Sequence, residues 1–454
     1  MYIILFLLIS MVNGLNYNRH VLKFGGSSLK TSKNIKNACN IIKQSKENNE
    51  YPIVVCSALG CTTNDLINLY NSKNFNEFSN LKRYHYSIMN ELDIVNPNTF
   101  DSYNNLFNKL YVSIFNNNEE DNKKQKDLII SFGERLSVFI VSNYLNKINV
   151  ESSYFNSYDL GLITNDNFCN ANILKSSYNK LEKYINLIDC NLTPVITGFI
   201  GKTMNGDITT LGRGGSDLTA TIIAKSISAK QVNLWKDVDG IFTADPNIIE
   251  NAKLIETISF RQTCEMALHG ANILHPISLN PCRNTNIPVI VKNTLNTSSI
   301  GTKISNTDFD DNLVTALTFK NNISVIDINT NEMIGKYGFL SNVFDNFKNN
   351  KISIDVLSSS ESSISFSIDD EDLDNLKYMK NSNMNVRSNL STLSIICDAN
   401  KTSAILCNVF EILKRENIKV EMISKGISKI NITLIIDSKD IYQTVKLLHN
   451  LLIE

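Results

Sequence analysis

Strand-like runs that end on glycine clusters constrain this chain more than any other feature. HVLKF (20–24) runs into Gly25-Gly26, PIVVCSA (52–58) stops short of Gly60, and TPVIT (193–197) leads into Gly198. PIVVCSA is apolar without alternation, which suits a strand covered on both faces. Helical apolar spacing lies between such runs, as in NIKNACNIIKQ (34–44), and VESSYF (150–155), QVNLWKDV (231–238) and IPVIVK (287–292) read as further strands. The alternation predicts an α/β fold, an open and mainly parallel sheet with helices on both faces. In such sheets ligands settle at the carboxyl ends of the strands, where the glycine clusters stand. Residues 72–126, rich in Asn and Lys but with apolar spacing at Tyr84, Ile88 and Leu92, read as a surface helical segment. DLIISFGERLSVFIVSNYLNK (127–147) reads as one longer helix.

The pattern changes near residue 300. Only Gly335, Gly338 and Gly426 follow Gly301, no proline follows Pro288, and SSIGTKISNTDFDDN (298–312) reads as a polar linker. Beyond it a strand-helix-strand-strand-helix order occurs twice, which predicts two small α+β modules. The expected domains are a targeting segment at 1–19, a catalytic domain at 20–305, and modules at 314–388 and 389–454. A length of 454 residues fits this count. The net charge of −1 gives no bulk attraction to nucleic acid. Nine cysteines without a CxxC pair read as reduced thiols. MYIILFLLISMVNG (1–14) is short for a membrane span and resembles the apolar part of a signal peptide, without its basic start. A buried first strand or a misplaced start are the alternatives, and no later segment is expected to span a membrane.

Several motifs carry chemistry. Thr209 to Asp217 (TTLGRGGSD) puts three glycines and Arg213 before a helix that starts at Ser216. Backbone N–H groups at such a helix start can approach an anion, and a guanidinium suits a carboxylate or a phosphate. Lys23 beside Gly25, Gly26 and Ser27 supplies a charge for a transferring phosphoryl group, although GxxxxGK[ST] is absent. Ser57 to Asn64, including Thr63, suits a polar substrate or simple helix capping. Glu134, among apolar neighbours, needs a cation, either a substrate ammonium or Arg135 or Arg213. Lys236 and Asp237, at a strand end, suit a nucleotide or a plain surface turn. His269 and His275 read as structural hydrogen-bonders, with no metal site proposed. Together these groups suit phosphoryl transfer from a nucleotide to a small anionic acceptor.

KFGGSS, SALGCTTN, SFGERLS, TGFIGK, TTLGRGGSDLTA, WKDVDGIFTADPN and GANILHP occur in the order seen in aspartokinases, and the chain resembles the monofunctional plant-type members. The resemblance implies an amino-acid-kinase fold followed by two ACT domains, and phosphorylation of L-aspartate by ATP with Mg²⁺ to 4-phospho-L-aspartate, toward lysine, threonine and methionine. It implies that Lys23 and Asp217 are catalytic and that Thr63, Glu134, Phe199 and Arg213 hold aspartate. Lys23, Gly25, Gly26, Ser27, Lys236, Asp237 and Phe242 would hold ATP. Met333, Phe339, Leu340, Asp355, Ser359 and Glu361 would bind an amino-acid effector, with lysine expected. The resemblance also implies a homodimer paired through the ACT domains and a plastid location, with the cytoplasm as the alternative. Asn247, Asn272, Cys61 and Lys336 depart from patterns common in the family, the last beside the effector set. Another amino-acid kinase and a non-catalytic amino-acid sensor are the rival readings. A bifunctional enzyme with homoserine dehydrogenase is disfavoured.

Overall fold

The first apolar run forms β1 (Arg19–Phe24), near the middle of an eight-stranded sheet. The other strands are β2 (Tyr51–Cys56), β3 (Ser152–Phe155), β4 (Thr193–Thr197), β7 (Gln231–Lys236), β10 (Thr257–Ser259), β11 (Val289–Asn293) and β12 (Thr302–Ser305). Their order is β10-β12-β11-β7-β1-β2-β4-β3. Among the described residues only the β11–β12 pair of this sheet is antiparallel, so β1, β2, β4 and β7 all point their carboxyl ends the same way. A short hairpin, β5 (Ile200–Lys202) with β6 (Ile208–Thr210), follows β4, and a two-stranded ribbon pairs β8 (Ile241–Phe242) with β9 (Leu254–Ile255). This computed structural model describes residues 18–116, 123–271, 273–306, 313–329, 338–376, 384–426 and 430–453. Nearly all of the expected targeting segment, together with Asn272, Met333 and Lys336, lies outside the described residues.

The helices pack on the sheet or on one another through the apolar faces that their spacing provides. In the helix Ser32–Glu47, capped by the Thr31 side chain, Ile35, Ala38, Cys39, Ile41 and Ile42 are buried. Two expectations change. The stretch 127–147 is divided, with helices Lys123–Ile130 and Phe132–Lys147 parted at Ser131. Lys123–Lys147 is long and apolar enough to cross a membrane, but most of it is buried inside the protein. The residues read as a surface segment form helices Phe75–Glu91 and Pro97–Phe115, whose Phe78, Leu81, Ile88, Tyr103 and Phe107 join the main core. Their rings pack edge to face, Phe78 against Phe107 with centroids 6.0 Å apart and Tyr103 against Phe107 at 5.5 Å, an arrangement aromatic pairs prefer.

The chain divides into two compact units, the first of residues 1–241, 255–260 and 274–307 and the second of 242–254, 261–273 and 308–454. Two segments from within the expected catalytic span therefore group with the tail. In the second unit Leu317 N–H donates to the Thr243 carbonyl at 2.8 Å, and Ala244 and Ile249 are buried among Leu393, Ile405 and Val409. None of the nine cysteines is joined in a disulfide.

The tail is a six-stranded antiparallel sheet in the order β14-β15-β13-β16-β18-β17. Its strands are β13 (Val314–Asn329), β14 (Val356–Ser359), β15 (Ser363–Asp369), β16 (Met384–Cys397), β17 (Val420–Ser424) and β18 (Asn431–Asp437). The two modules interleave rather than follow one another. The runs VTALTFK and ISVIDI are one strand, β13, with a register shift between Lys320 and Ile323. Its first part packs Val314 and Leu317 with Ile395, Ile405, Val409 and Leu434. Its second part packs Ile326 and Ile328 with Val343, Phe347, Ile364 and Phe366. β16 serves both halves in the same way, so no single cut of the chain separates them.

Candidate active site

Four strand ends meet around one cavity of about 310 Å³. β1 brings Lys23, β2 leads to Ser57, Ala58 and Gly60, β4 leads to Phe199, and the turn after β6 brings Gly212, Gly214, Gly215, Ser216 and Asp217. Thr63 and Glu134 line it from their helices, and Gly26 completes the lining. The helix Gly215–Ser226 starts at Gly214, whose φ of 72° is left-handed. A Cβ there would also come within 2.6 Å of the His275 Cβ, so the position requires glycine.

Two of the lining residues, Lys23 and Asp217, form a charge cluster with Lys236. Lys23 Nζ lies 2.6 Å from Asp217 Oδ1, and Lys236 Nζ lies 3.5 Å from Asp217 Oδ2. Burial alone would push the Asp217 carboxyl up, but the two ammonium groups outweigh it and hold the carboxyl below its ordinary value. Burial lowers the Lys236 ammonium, with Lys23 adding to the effect and Asp217 opposing it. Two cations against one carboxylate leave an excess of one positive charge, which suits a phosphate chain.

Glu134 enters the cavity from the first turn of the helix Phe132–Lys147 and is 2% exposed. Its Oε1 accepts the Ala58 N–H at 3.2 Å, while its Oε2 is buried without a hydrogen-bond partner. Burial pushes its carboxyl up to about 8. The neighbouring Gly133 permits this approach, because a Cβ there would lie 2.8 Å from the Ala58 Cβ. Thr62, beside Thr63, is hydrogen-bonded to buried His85 at 3.1 Å, and His85 in turn to Tyr103 at 2.7 Å. Burial lowers His85 to about 3, so it is neutral and structural. Phe199 is held at φ 66° by a Thr219 Oγ1 that accepts its N–H at 3.1 Å, and its carbonyl accepts the Leu211 N–H.

The structure gathers Lys23, Gly26, Thr63, Glu134, Phe199 and Asp217 around one space. Gly25 lies beside Lys23 Nζ, and its N–H donates to the Trp235 carbonyl at 3.2 Å. Ser27 is exposed and opens the short turn Ser27–Leu29. Arg213 is exposed and lines an adjoining cavity of about 400 Å³ with Asn170, Asn172 and His275; Gly212 and Gly214 border both cavities. Lys236, expected to face a nucleotide, pairs with Asp217. Asp237 is exposed, and Phe242 belongs to the second unit. Among the described residues no cluster of three or more His, Cys, Asp or Glu could hold a metal ion. The Ala58 N–H on Glu134 joins distant segments and has no local signal in the sequence.

Within the second unit, Phe339 and the exposed Leu340 begin the helix Phe339–Asn349. Asp355 is paired with Lys320 at 2.9 Å, and Lys320 also meets Asp369 at 2.6 Å. Ser359 ends β14, and Ser359 and Glu361 are exposed.

The amino acid kinase family matches residues 18–293, and an ACT domain matches residues 400–452. The chain is 36% identical to aspartokinase 2, chloroplastic, of Arabidopsis thaliana, over 96% of this chain and 84% of that protein. It is 33% identical to lysine-sensitive aspartokinase 3 of Escherichia coli, over 72% and 75%. E. coli aspartokinase III in complex with aspartate and ADP (R-state) has the same fold, with a TM-score of 0.83 and 28% identity over 96% of this chain and all of that one. The same enzyme with lysine and aspartate (T-state) gives 0.81 at 27% identity over the same shares. With the whole sheet, the converging strand ends and most of its length matched, the chain belongs to the aspartokinases of the amino acid kinase family.

Proposed function

We propose that this aspartate kinase holds L-aspartate between Glu134 and the Lys23–Asp217 pair, with ATP phosphates over Gly25, Gly26 and Ser27. The buried, unpartnered Oε2 of Glu134 carries this reading. Such an oxygen is costly to bury alone and is relieved by a donor from the ligand. The ammonium of aspartate is that donor, and its arrival returns Glu134 to the ionised form. Arg213, at the rim of the shared glycine turn, takes the α-carboxylate in a two-pronged contact. The side-chain carboxylate then faces Lys23. One of its oxygens attacks the terminal phosphorus, the bond from that phosphorus to the bridging oxygen breaks, and ADP leaves with the electron pair. No proton moves, so the protein supplies position and charge. Lys23 stabilises the transferring group, and Asp217 holds both Lys23 and Lys236 toward it. Mg²⁺ accompanies the nucleotide and neutralises phosphate charge; its ligands would be phosphate oxygens, because Asp217 is already engaged by two lysines.

The ACT region is the regulatory part, and lysine is the effector that the named relatives favour. Phe339, Leu340, Asp355, Ser359 and Glu361 would receive it, once Asp355 exchanges its bond to Lys320. A homodimer through the six-stranded sheets is proposed with it. The chloroplastic relatives and the signal-like first residues favour a plastid. The test is hydroxylamine trapping of the acyl phosphate with aspartate, glutamate and N-acetylglutamate as acceptors, with and without lysine. Aspartyl hydroxamate in step with ADP, diminished by lysine, supports the reading. Equal trapping with glutamate would remove the assigned recognition groups.

A further inference from the structure

We infer that Asp127 is a positioning residue for substrate recognition, fixing the Arg213 turn relative to the helix that carries Glu134. Asp127 is fully buried, at 0% exposure, in the helix Lys123–Ile130. Its Oδ1 accepts the Thr210 hydroxyl at 2.7 Å. Its Oδ2 accepts two backbone N–H groups, from Thr210 and from Cys169, each at 2.9 Å. Three donors therefore converge on one carboxylate, and they satisfy it in place of a cation. Its own carbonyl accepts the Ser131 N–H at 3.0 Å, at the break just before the helix of Glu134.

The two segments it joins are the walls beside Arg213. Thr210 ends β6 three residues before Arg213, and its carbonyl also accepts the Ala171 N–H at 2.9 Å. Cys169, held at a left-handed φ of 69°, precedes Asn170. Asn170 Oδ1 stands 2.6 Å from where a Cβ on Gly212 would lie, so the walls are in close contact. Asn170 and Arg213 line the same cavity. One side chain thus clamps both walls while its backbone anchors the approach to Glu134. The consequence is a fixed distance between the proposed carboxylate and ammonium contacts of aspartate, an inference that rests on the substrate reading above.

Asn can preserve the clamp. Its carbonyl can take the two backbone N–H groups and its amide can donate to Thr210 Oγ1, because a hydroxyl serves as donor or acceptor. Ala removes all three bonds. Misplacement of a binding group by about 1 Å can cost on the order of a hundredfold. Asp127→Ala should therefore raise the KM for aspartate at least about tenfold, with kcat and the KM for ATP changing less than about threefold. Asp127→Asn should restore the aspartate KM to within about threefold of the parent. Thr210→Val, which keeps the backbone bonds, should give a smaller rise of the same selectivity, and it stands in if Asp127→Ala does not fold. An unchanged aspartate KM in the folded variants would overturn the inference, as would a parallel loss in kcat and both KM values that Asn does not rescue. Arg213→Ala is measured alongside: if it leaves the aspartate KM unchanged, the substrate reading fails. If it raises that KM while Asp127→Ala and Thr210→Val do not, the role of Asp127 alone is refuted.

Discussion

Glu134→Gln should separate substrate affinity from stability in opposite directions. The parent carboxyl sits at about 8 because it is buried. At pH 7 it is protonated in roughly nine of ten free molecules. Binding an ammonium requires the ionised form, at a cost of about 1.4 kcal/mol, or tenfold in affinity, per pH unit below 8. The KM for aspartate should therefore fall about tenfold per unit from pH 6 toward 8 and then level. Gln keeps the oxygen that takes the Ala58 N–H but cannot become an anion. Losing the charge from this buried pair costs about 2–4 kcal/mol, a rise in KM of roughly 30- to 1,000-fold, and the pH dependence should flatten. Stability moves the other way. The folded carboxyl titrates above its ordinary value of 4.5, so the folded chain holds a proton that the unfolded chain releases. The stability tied to that proton is complete below about pH 4.5 and is lost as pH rises through about 8, with about 3 kcal/mol already gone at pH 7. Gln has no such loss, so the substrate-free variant should melt higher than the parent at pH 8. ADP release across pH 6 to 9, with thermal melts of both proteins, reads out all of this. A flat aspartate KM in the parent, or a Gln variant that binds aspartate like the parent, would refute the reasoning.

The remaining predictions concern the charge cluster and the turn. Lys23→Met should lower kcat by about a thousandfold or more while the protein stays folded, because Asp217 keeps Lys236 as partner. Single-turnover ADP formation and circular dichroism check it, and near-parental turnover would remove Lys23 from the chemistry. Asp217→Ala should destabilise more than Lys23→Met, by about 3 kcal/mol in urea unfolding, since it leaves two neighbouring ammonium groups, one buried and one half-buried, without their shared carboxylate. An equal or smaller loss would contradict the pairing. Gly214→Ala should lower both stability and aspartate affinity, because the left-handed φ and the His275 contact cannot be kept together. Parental values in melts and KM would show that the turn adapts.

The parts of the fold legible in the sequence were the ones with local causes. β1, β2 and β4 are buried almost throughout, with Val21, Leu22, Phe24, Val54, Val55, Val195 and Ile196 as their apolar residues, and the glycines that follow them mark the turns where Lys23, Ala58 and Phe199 meet the cavity. The helices at 75–91 and 97–115 read as a surface segment, and one side of each is surface while the other is buried. Their Asn and Lys residues face solvent while Phe78, Tyr103 and Phe107 reach a core assembled from distant segments. The interleaving of the tail modules was hidden for a similar reason. It depends on β13 crossing from one half-sheet to the other at Asn321 and Asn322, the latter at φ 59°, and on pairing with β16 some seventy residues later. Within the site, Lys23 and Glu134 announced themselves by their surroundings. The turn of Lys236 toward Asp217 did not, because a lysine at a strand end has the same local sequence whether it faces a nucleotide or a carboxylate. Asp127 looked like an ordinary polar residue opening a helical run, and its three donors arrive from β6 and from Cys169.

The central claim is that Glu134 and the Lys23–Asp217 pair receive aspartate from opposite sides of one cavity. A crystal structure of the chain with aspartate and ADP tests it most directly. The ammonium of aspartate should lie within about 3 Å of Glu134 Oε2, with the side-chain carboxylate turned toward Lys23 Nζ. Aspartate bound elsewhere, or bound with Glu134 Oε2 still unpartnered, would contradict it.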